Sequence, residues 1–183
     1  EHLLRRQPQF EVTLISDSNY ALFTPMLAEV AASALEAPHI SSSVRSFFRR
    51  ARFRRAAVLG VDSSQHTVTI QNCETCQPTT MPYDHLLVAL GSISFDFGLP
   101  GIGEFAFTLK TLEDAIVLRE HPLTLMETAD IVDHPAAPGL LTFVVAGAGF
   151  SGMEIVAELF EFIESALPYY PGVQREGVRF VIV

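Results

Sequence analysis

The stretch Thr142 to Leu159, TFVVAGAGFSGMEIVAEL, constrains this chain more than any other. An apolar, β-branched run (Phe143, Val144, Val145) leads into Gly147, Gly149 and Gly152. A helical pattern follows, with Met153, Val156, Ala157 and Phe160 on one face. This is G-x-G-x-x-G between a strand and a helix, the context in which the motif signals a dinucleotide site. The first glycine permits the tight turn. The second lets a pyrophosphate approach the main chain, and the third lets the helix pack close to the strand. The helix then offers unpaired N–H groups and its positive dipole end to the phosphates. The alternative is a Gly-rich strand–helix turn that binds nothing. A second strand, Val178 to Val183, returns after the helix. The acid that grips an adenosine ribose belongs just beyond such a strand, past Val183.

At 183 residues the chain is long enough for one domain or two small ones. A hydrophobic share of 49% with 18% charged residues is that of a protein with a sizeable core. The formal net charge of -9 argues against a dominant nucleic-acid role, which needs a basic footprint. No apolar run reaches the roughly 18 residues that would span a membrane. Two cysteines are too few for a disulfide scaffold and fit a reducing compartment. The chain opens on what reads as the tail of a helix, Leu3-Leu4-Arg5-Arg6, and ends inside a strand. It therefore reads as a piece of a larger protein.

Phe10 to Ser16 reads as a strand with Asp17 at its carboxyl end. A carboxylate there accepts hydrogen bonds from a ribose in a nucleotide-binding βαβ unit; a turn or N-cap aspartate is the other reading. Pro25 can start a short helix within the apolar stretch Asn19 to Ala34. Ser41-Ser42-Ser43 offers an N-cap to a helix carrying Val44, Phe47 and Phe48. Arginines 45, 49, 50, 52, 54 and 55 supply six of the twelve basic residues. They read as a solvated helix end and strand edge, or else as a phosphate-facing or anionic-membrane patch.

Ala56 to Val61 and His66 to Gln71 read as strands joined by a turn at Asp62-Ser63-Ser64. Cys73 and Cys76 form a CxxC at the following loop. With no second Cys pair and no His at ligand spacing, they read as incidental thiols rather than a zinc or redox site. Leu86 to Leu90 reads as a short buried strand ending at Gly91, and Gly98 to Gly103 as turns. A helix opens at Lys110, with Thr111 as cap and Asp114 in its first turn, and runs towards Ile131 with a kink expected at Pro122. Asp133 to Gly139 reads as a loop.

Four stretches together carry a resemblance: VTLISDSNYALFTPMLAEVA (12–31), YDHLLVALGS (83–92), LKTLEDAIVLR (109–119) and TFVVAGAGFSGMEIVAELFEF (142–162). The chain resembles the flavin-dependent pyridine-nucleotide oxidoreductases, and among them the type II NADH dehydrogenases. The resemblance implies an α/β fold of two Rossmann-like three-layer domains, both incomplete here. Residues 1–106 would bind FAD, without the first strand and Gly-rich turn of that domain; residues 107–183 would bind NAD(P)H. Asp17 would hold the FAD ribose, and the main chain around Val58 would meet the adenine. Ala89 and Gly91 would lie against the FAD, with Leu90 where the family has threonine, and Pro25 near the isoalloxazine. Gly147, Gly149, Phe150 and Gly152 would cradle the NADH pyrophosphate. Glu154 would lie near flavin and quinone as the catalytic-site carboxylate; a helix-start glutamate without duty is the bland reading.

The implied activity is hydride transfer from NADH to FAD, then electron transfer to a quinone. The cofactors are FAD and NADH, with no metal. The implied setting is cytoplasmic, peripheral on the inner face of the cell membrane, with homodimer assembly. The rival readings are a sulfide:quinone or ferredoxin/rubredoxin reductase of the same superfamily, and a nucleotide-binding redox sensor without turnover. Without the first Gly-rich turn, weak FAD binding is expected of these 183 residues alone.

Overall fold

The computed structural model describes residues 2–96, 98–131 and 139–183. In chain order these form helix α1 (His2–Arg6), strands β1 (Thr13–Ser16) and β2 (Tyr20–Leu22), helices α2 (Leu27–Ala31) and α3 (Ala37–Ile40), and strand β3 (Ser41–Ser43). Helix α4 (Val44–Phe47) and strands β4 (Arg52–Asp62), β5 (Thr67–Asn72) and β6 (Pro78–Pro82) follow. Helices α5 (Ile102–Phe105) and α6 (Leu112–Ile131), strand β7 (Thr142–Val145), helix α7 (Phe150–Ala166) and strand β8 (Arg179–Ile182) complete the chain. The elements gather into two compact units that interleave in sequence. One holds Glu1–Leu22 and Ser41–Ser92, the other Phe23–Ile40 and Ile93–Val183.

The first unit is built on a four-stranded sheet of order β1-β4-β5-β6. β1 and β4 run parallel, from Thr13 opposite Arg52 to Ser16 opposite Arg55. Beyond that point β4 turns to an antiparallel partner, β5, with an irregularity between Val58 and Gly60. A bulge of this kind bends the strand and frees main-chain groups from the ladder. The β4–β5 turn is held by Asp62, whose Oδ1 accepts from the N–H of Ser64 and Gln65 at 2.9 Å and from the Ser64 hydroxyl at 2.7 Å. These donors hold the Asp62 carboxyl below the usual carboxylate range, the Ser64 hydroxyl contributing most. Alternation along β5 puts Val68 and Ile70 into a small core with Ala56, Ile15 and Met81.

Arg52 to Arg55 pair with β1 alone, since the β5 ladder begins at Ala56, so this part of β4 has an open edge and Arg52, Arg54 and Arg55 are exposed on it, as the solvated-edge reading expects. Two expectations fail in this unit. Ser41 to Ser43 form a strand against β2 rather than only a cap. Ser43 does precede α4, but its side chain makes no capping bond, the helix is a single turn, and Phe47 is exposed. Leu86 to Leu90 form no strand: no described strand lies alongside, and Leu87 and Leu90 are 88% and 83% exposed. A β-strand exists only through its ladder partner, so an apolar run without one stays unpaired.

The second unit contains the β7–α7–β8 segment, with β7 and β8 parallel from Thr142 opposite Arg179 to Val145 opposite Ile182. Met126, Ala129, Leu141 and Ile163 form its core, with Phe143 and Phe180 packed on them. α7 buries Ile155, Leu159 and Ile163. The stripe Met153, Ala157 and Phe160 therefore faces outward, although Phe160 meets Phe180 edge-on at 6.0 Å. Both stripes have helical spacing, and only packing decides between them. α2, entered through a short turn of helix with Pro25 in its first turn, packs on α6 and α7. α6 continues as helix through Pro122, which is fully buried. Its start is a reciprocal cap: the Asp114 N–H donates to Thr111 Oγ1 at 3.1 Å, and the Thr111 N–H to Asp114 Oδ2 at 2.9 Å. The loop expected at Asp133 to Gly139 lies, but for Gly139, outside the described residues.

Candidate functional site

The turn between β7 and α7 has the geometry its glycines require. Gly147 sits at φ 111°, in the region closed to most side chains, and its N–H donates to the Val183 carbonyl at 2.8 Å. That bond joins the turn to the end of β8. A Cβ on Gly152 would lie 1.9 Å from the Gly147 carbonyl oxygen, so helix and turn meet main chain to main chain. Gly149 is different. Its backbone is extended and a Cβ there would meet nothing within 4 Å. The space in front of the second glycine is open, which is where the motif places a pyrophosphate.

The first bond of α7 runs from the Met153 N–H to the Gly149 carbonyl at 3.0 Å. The N–H groups of Phe150, Ser151 and Gly152 come before it and have no partner within the helix. Seventeen residues of aligned peptide dipoles stand behind them. Phe150 is 94% exposed at this end. A helix start without a side-chain cap and the open space at Gly149 are what a diphosphate requires, so the residues present fit a dinucleotide.

Glu154 lies on the exposed side of the same helix. One turn on, Glu158 is half-buried, and its carboxyl is pushed above the usual glutamate range by burial first and then by the charges of Glu29, Glu161 and Glu154. Glu29, on α2, has a buried Oε2 with no hydrogen-bond partner. Four carboxylates thus share one side of this unit. The Glu29–Glu158 relation is one that sequence reasoning missed, since α2 and α7 are over a hundred residues apart in the chain and only packing brings them together.

In the first unit Asp17 follows β1 directly and is exposed, a position open both to a ribose acid and to a turn aspartate. The Ser18 hydroxyl donates to its Oδ1 at 3.2 Å. Val58 lies on β4 three residues past the end of the β1 pairing, beside the irregularity. Ala89 and Gly91 lie on the unpaired segment, with Gly91 at φ 70°. Pro25 belongs to the second unit, with the Gly-rich turn. The expected site residues thus fall into two sets. Asp17, Val58, Ala89 and Gly91 share one unit; Pro25, Gly147, Gly149, Phe150, Gly152 and Glu154 share the other. Cys73 and Cys76 are free and exposed at the β5–β6 loop.

The sequence profile of the pyridine nucleotide-disulphide oxidoreductases matches residues 2–167. An external alternative NAD(P)H-ubiquinone oxidoreductase of Arabidopsis thaliana mitochondria is 32% identical over 178 residues, covering 92% of this chain and 31% of the relative. A type II NADH:quinone oxidoreductase of Mycobacterium tuberculosis is 34% identical over 166 residues, covering 88% and 35%. The solved structure of NDH2 from Plasmodium falciparum in complex with NADH is similar with a TM-score of 0.85 at 24% identity, over 96% of this chain and 37% of that one. The chain spans about a third of the length of these curated relatives.

Proposed function

This chain belongs to the pyridine nucleotide-disulphide oxidoreductase family, and from that premise we propose that it is the nucleotide-binding part of an FAD-dependent NADH:quinone oxidoreductase. The fold is the α/β, Rossmann-like architecture of that family. When bound, FAD supplies the redox chemistry, accepting hydride from NADH and giving two electrons to a quinone.

The protein's own residues then bind and orient. The Phe150, Ser151 and Gly152 N–H groups hold the NADH pyrophosphate, which comes close because Gly149 has no side chain. Asp17 accepts from the FAD ribose hydroxyls, and the main chain beside Val58 reads the adenine. Ala89, Gly91 and Pro25 belong to the flavin's surroundings. Glu154 positions the nicotinamide or carries a proton towards the quinone. By cofactor, residues 1–106 are the FAD half and 107–183 the NAD(P)H half. This division differs from the compact units in placing Phe23–Ile40 and residues 93–106 with the FAD half. Quinone as acceptor, a homodimer, and peripheral attachment to the inner face of the cell membrane complete the proposal. Among the described residues no helix is long and apolar enough to cross a membrane.

The observation that carries this reading is the open space at Gly149 beside the tightly packed Gly152. The test is NADH titration of this chain against Gly149→Ala. The substitution fits the backbone and meets no neighbour, so folding should be unchanged while NADH binding weakens by about tenfold, the loss of one good charge-assisted contact. Equal binding by the two proteins, or none by either, rejects the reading. For the longer protein, NADH should bleach a bound flavin and a quinone should restore its colour.

A further inference from the structure

Outside the nucleotide turn, the first unit carries a pocket of about 310 Å3 whose lining includes Arg45, Arg54 and Arg55. Neither Asp17 nor Val58 lines it, so it lies outside the binding roles assigned above. We propose that this pocket binds a phosphate monoester, with the Arg45, Arg54 and Arg55 guanidinium groups around the dianion.

Charge is the first argument. Three guanidinium groups face one carboxylate, Glu74, leaving a net charge of two, which matches a phosphate dianion. Glu74 is already engaged, since Arg55 Nη1 donates to its Oε1 at 2.7 Å. The Arg54 side chain forms neither of the arginine ion pairs of this strand, which belong to Arg52 with Glu11 and Arg55 with Glu74. This concentration stands out in a chain whose formal net charge is -9, so a general attraction for anions does not account for it.

Geometry is the second. Arg45 stacks over Phe53, its Cζ 5.0 Å from the ring centroid. Stacking occupies the face of a guanidinium and leaves its edge N–H groups free, the edge that reads planar and tetrahedral oxyanions. The third argument is the apolar part of the lining. Phe53, Ala56 and Ile70, all buried, contribute to it. Apolar surface beside a charge keeps water away and strengthens each charge-assisted bond. The Thr79 side of the pocket adds a hydroxyl-bearing residue. The volume suits a phosphate with a small organic substituent rather than a flat polymer surface, at the low end of the roughly 300–1,000 Å3 of ligand sites.

The test uses this chain at constant ionic strength. Inorganic phosphate is titrated by amide NMR, and vesicles of phosphatidylcholine with phosphatidic acid are offered in a separate sedimentation assay. Saturable shifts centred on Phe53, Arg54 and Thr79, weakened about tenfold by Arg54→Gln, support the pocket. Vesicle binding that free phosphate displaces, with the same sensitivity to Arg54→Gln, assigns the lipid headgroup as the source and also supports it. Vesicle binding without any phosphate shifts makes the patch a membrane surface and overturns the proposal. So does an equal loss on Arg5→Gln/Arg6→Gln, which removes two exposed charges on α1. Absence of saturation in both assays overturns it too. Arg54→Lys guards against a folding artefact: it keeps the charge, loses the fork and should give an intermediate affinity. No arm depends on NADH or FAD, so failure here leaves the nucleotide reading untouched.

Discussion

Arg55 clasps the main chain at Asp17: its Nε–H donates to the Asp17 carbonyl oxygen at 3.0 Å, while Nη1 pairs with Glu74 at 2.7 Å. One side chain from β4 thereby ties the end of β1 to the β5–β6 loop. Both partners are exposed, so the ion pair itself contributes little, about 0–1 kcal/mol. The bond to the carbonyl has the greater consequence, because it fixes the direction in which Asp17 leaves the strand. Arg55→Gln should lower stability by about 1 kcal/mol, and hydrogen exchange at Ser18 should quicken. If Glu74→Gln produced the same quickening with Arg55 intact, the clasp on Asp17 would not be its cause.

Gly152→Ala provides a sharper expectation. In an ordinary exposed helix interior this change gains about 1 kcal/mol. Here the new methyl would sit 1.9 Å from a carbonyl oxygen. The expected result is a net loss of about 3 kcal/mol or more, seen as a lower urea midpoint. Gly147→Ala, strained by its positive φ alone, should cost less, about 1–2 kcal/mol.

The cap of α6 couples stability to acid. Burial opposes ionisation of Asp114, yet the N–H groups of Thr111 and Lys110 and the hydroxyls of Thr108 and Thr111 outweigh it and hold the carboxyl below its ordinary range. A group with a depressed folded pKa stabilises above its unfolded pKa, and that contribution is lost as pH falls through the folded value. Asp114→Asn should therefore be less stable than the parent at neutral pH, with the difference closing as pH falls below the carboxylate range. Thr111→Ala should cost about 0.5–2 kcal/mol. Urea melts across this pH range would show a constant gap for Asp114→Asn were the carboxylate not responsible.

Glu158 runs the opposite way. Its folded pKa is raised by burial and by Glu29, Glu161 and Glu154, so the folded state holds that proton more tightly than the unfolded one. Stability then falls as pH rises from the ordinary glutamate range through the raised value, and stays lower above it. Glu158→Gln should be more stable than the parent at pH 7 and should lose this slope. Matching slopes in the two proteins would assign the effect elsewhere.

Some of this molecule can be read directly from its residues. The three glycines, the Thr111–Asp114 cap and the Asp62 turn are local devices, in which a few neighbouring residues supply both halves of each interaction. Asp17 was legible for the same reason, as a carboxylate at a strand end. The failures are non-local. Ser41 to Ser43 become a strand only because Tyr20 to Leu22 lie opposite. Leu86 to Leu90 have strand composition and no partner among the described residues. α7 carries two apolar stripes at helical spacing, and no periodicity argument can say that Ile155, Leu159 and Ile163 win. The burial of one Glu29 oxygen near a glutamate of α7 depends on helix packing that leaves no trace in either local sequence.

The contact between positions 147 and 152 also bears on genetics. The obstructing atom is a peptide oxygen, common to every residue type, so no exchange of a neighbouring side chain can make room for a bulkier residue at 152. A selection for second-site suppressors of such a variant should return reversions at codon 152 itself, whereas defects in the Met126–Ile163 core should be rescued by partners elsewhere.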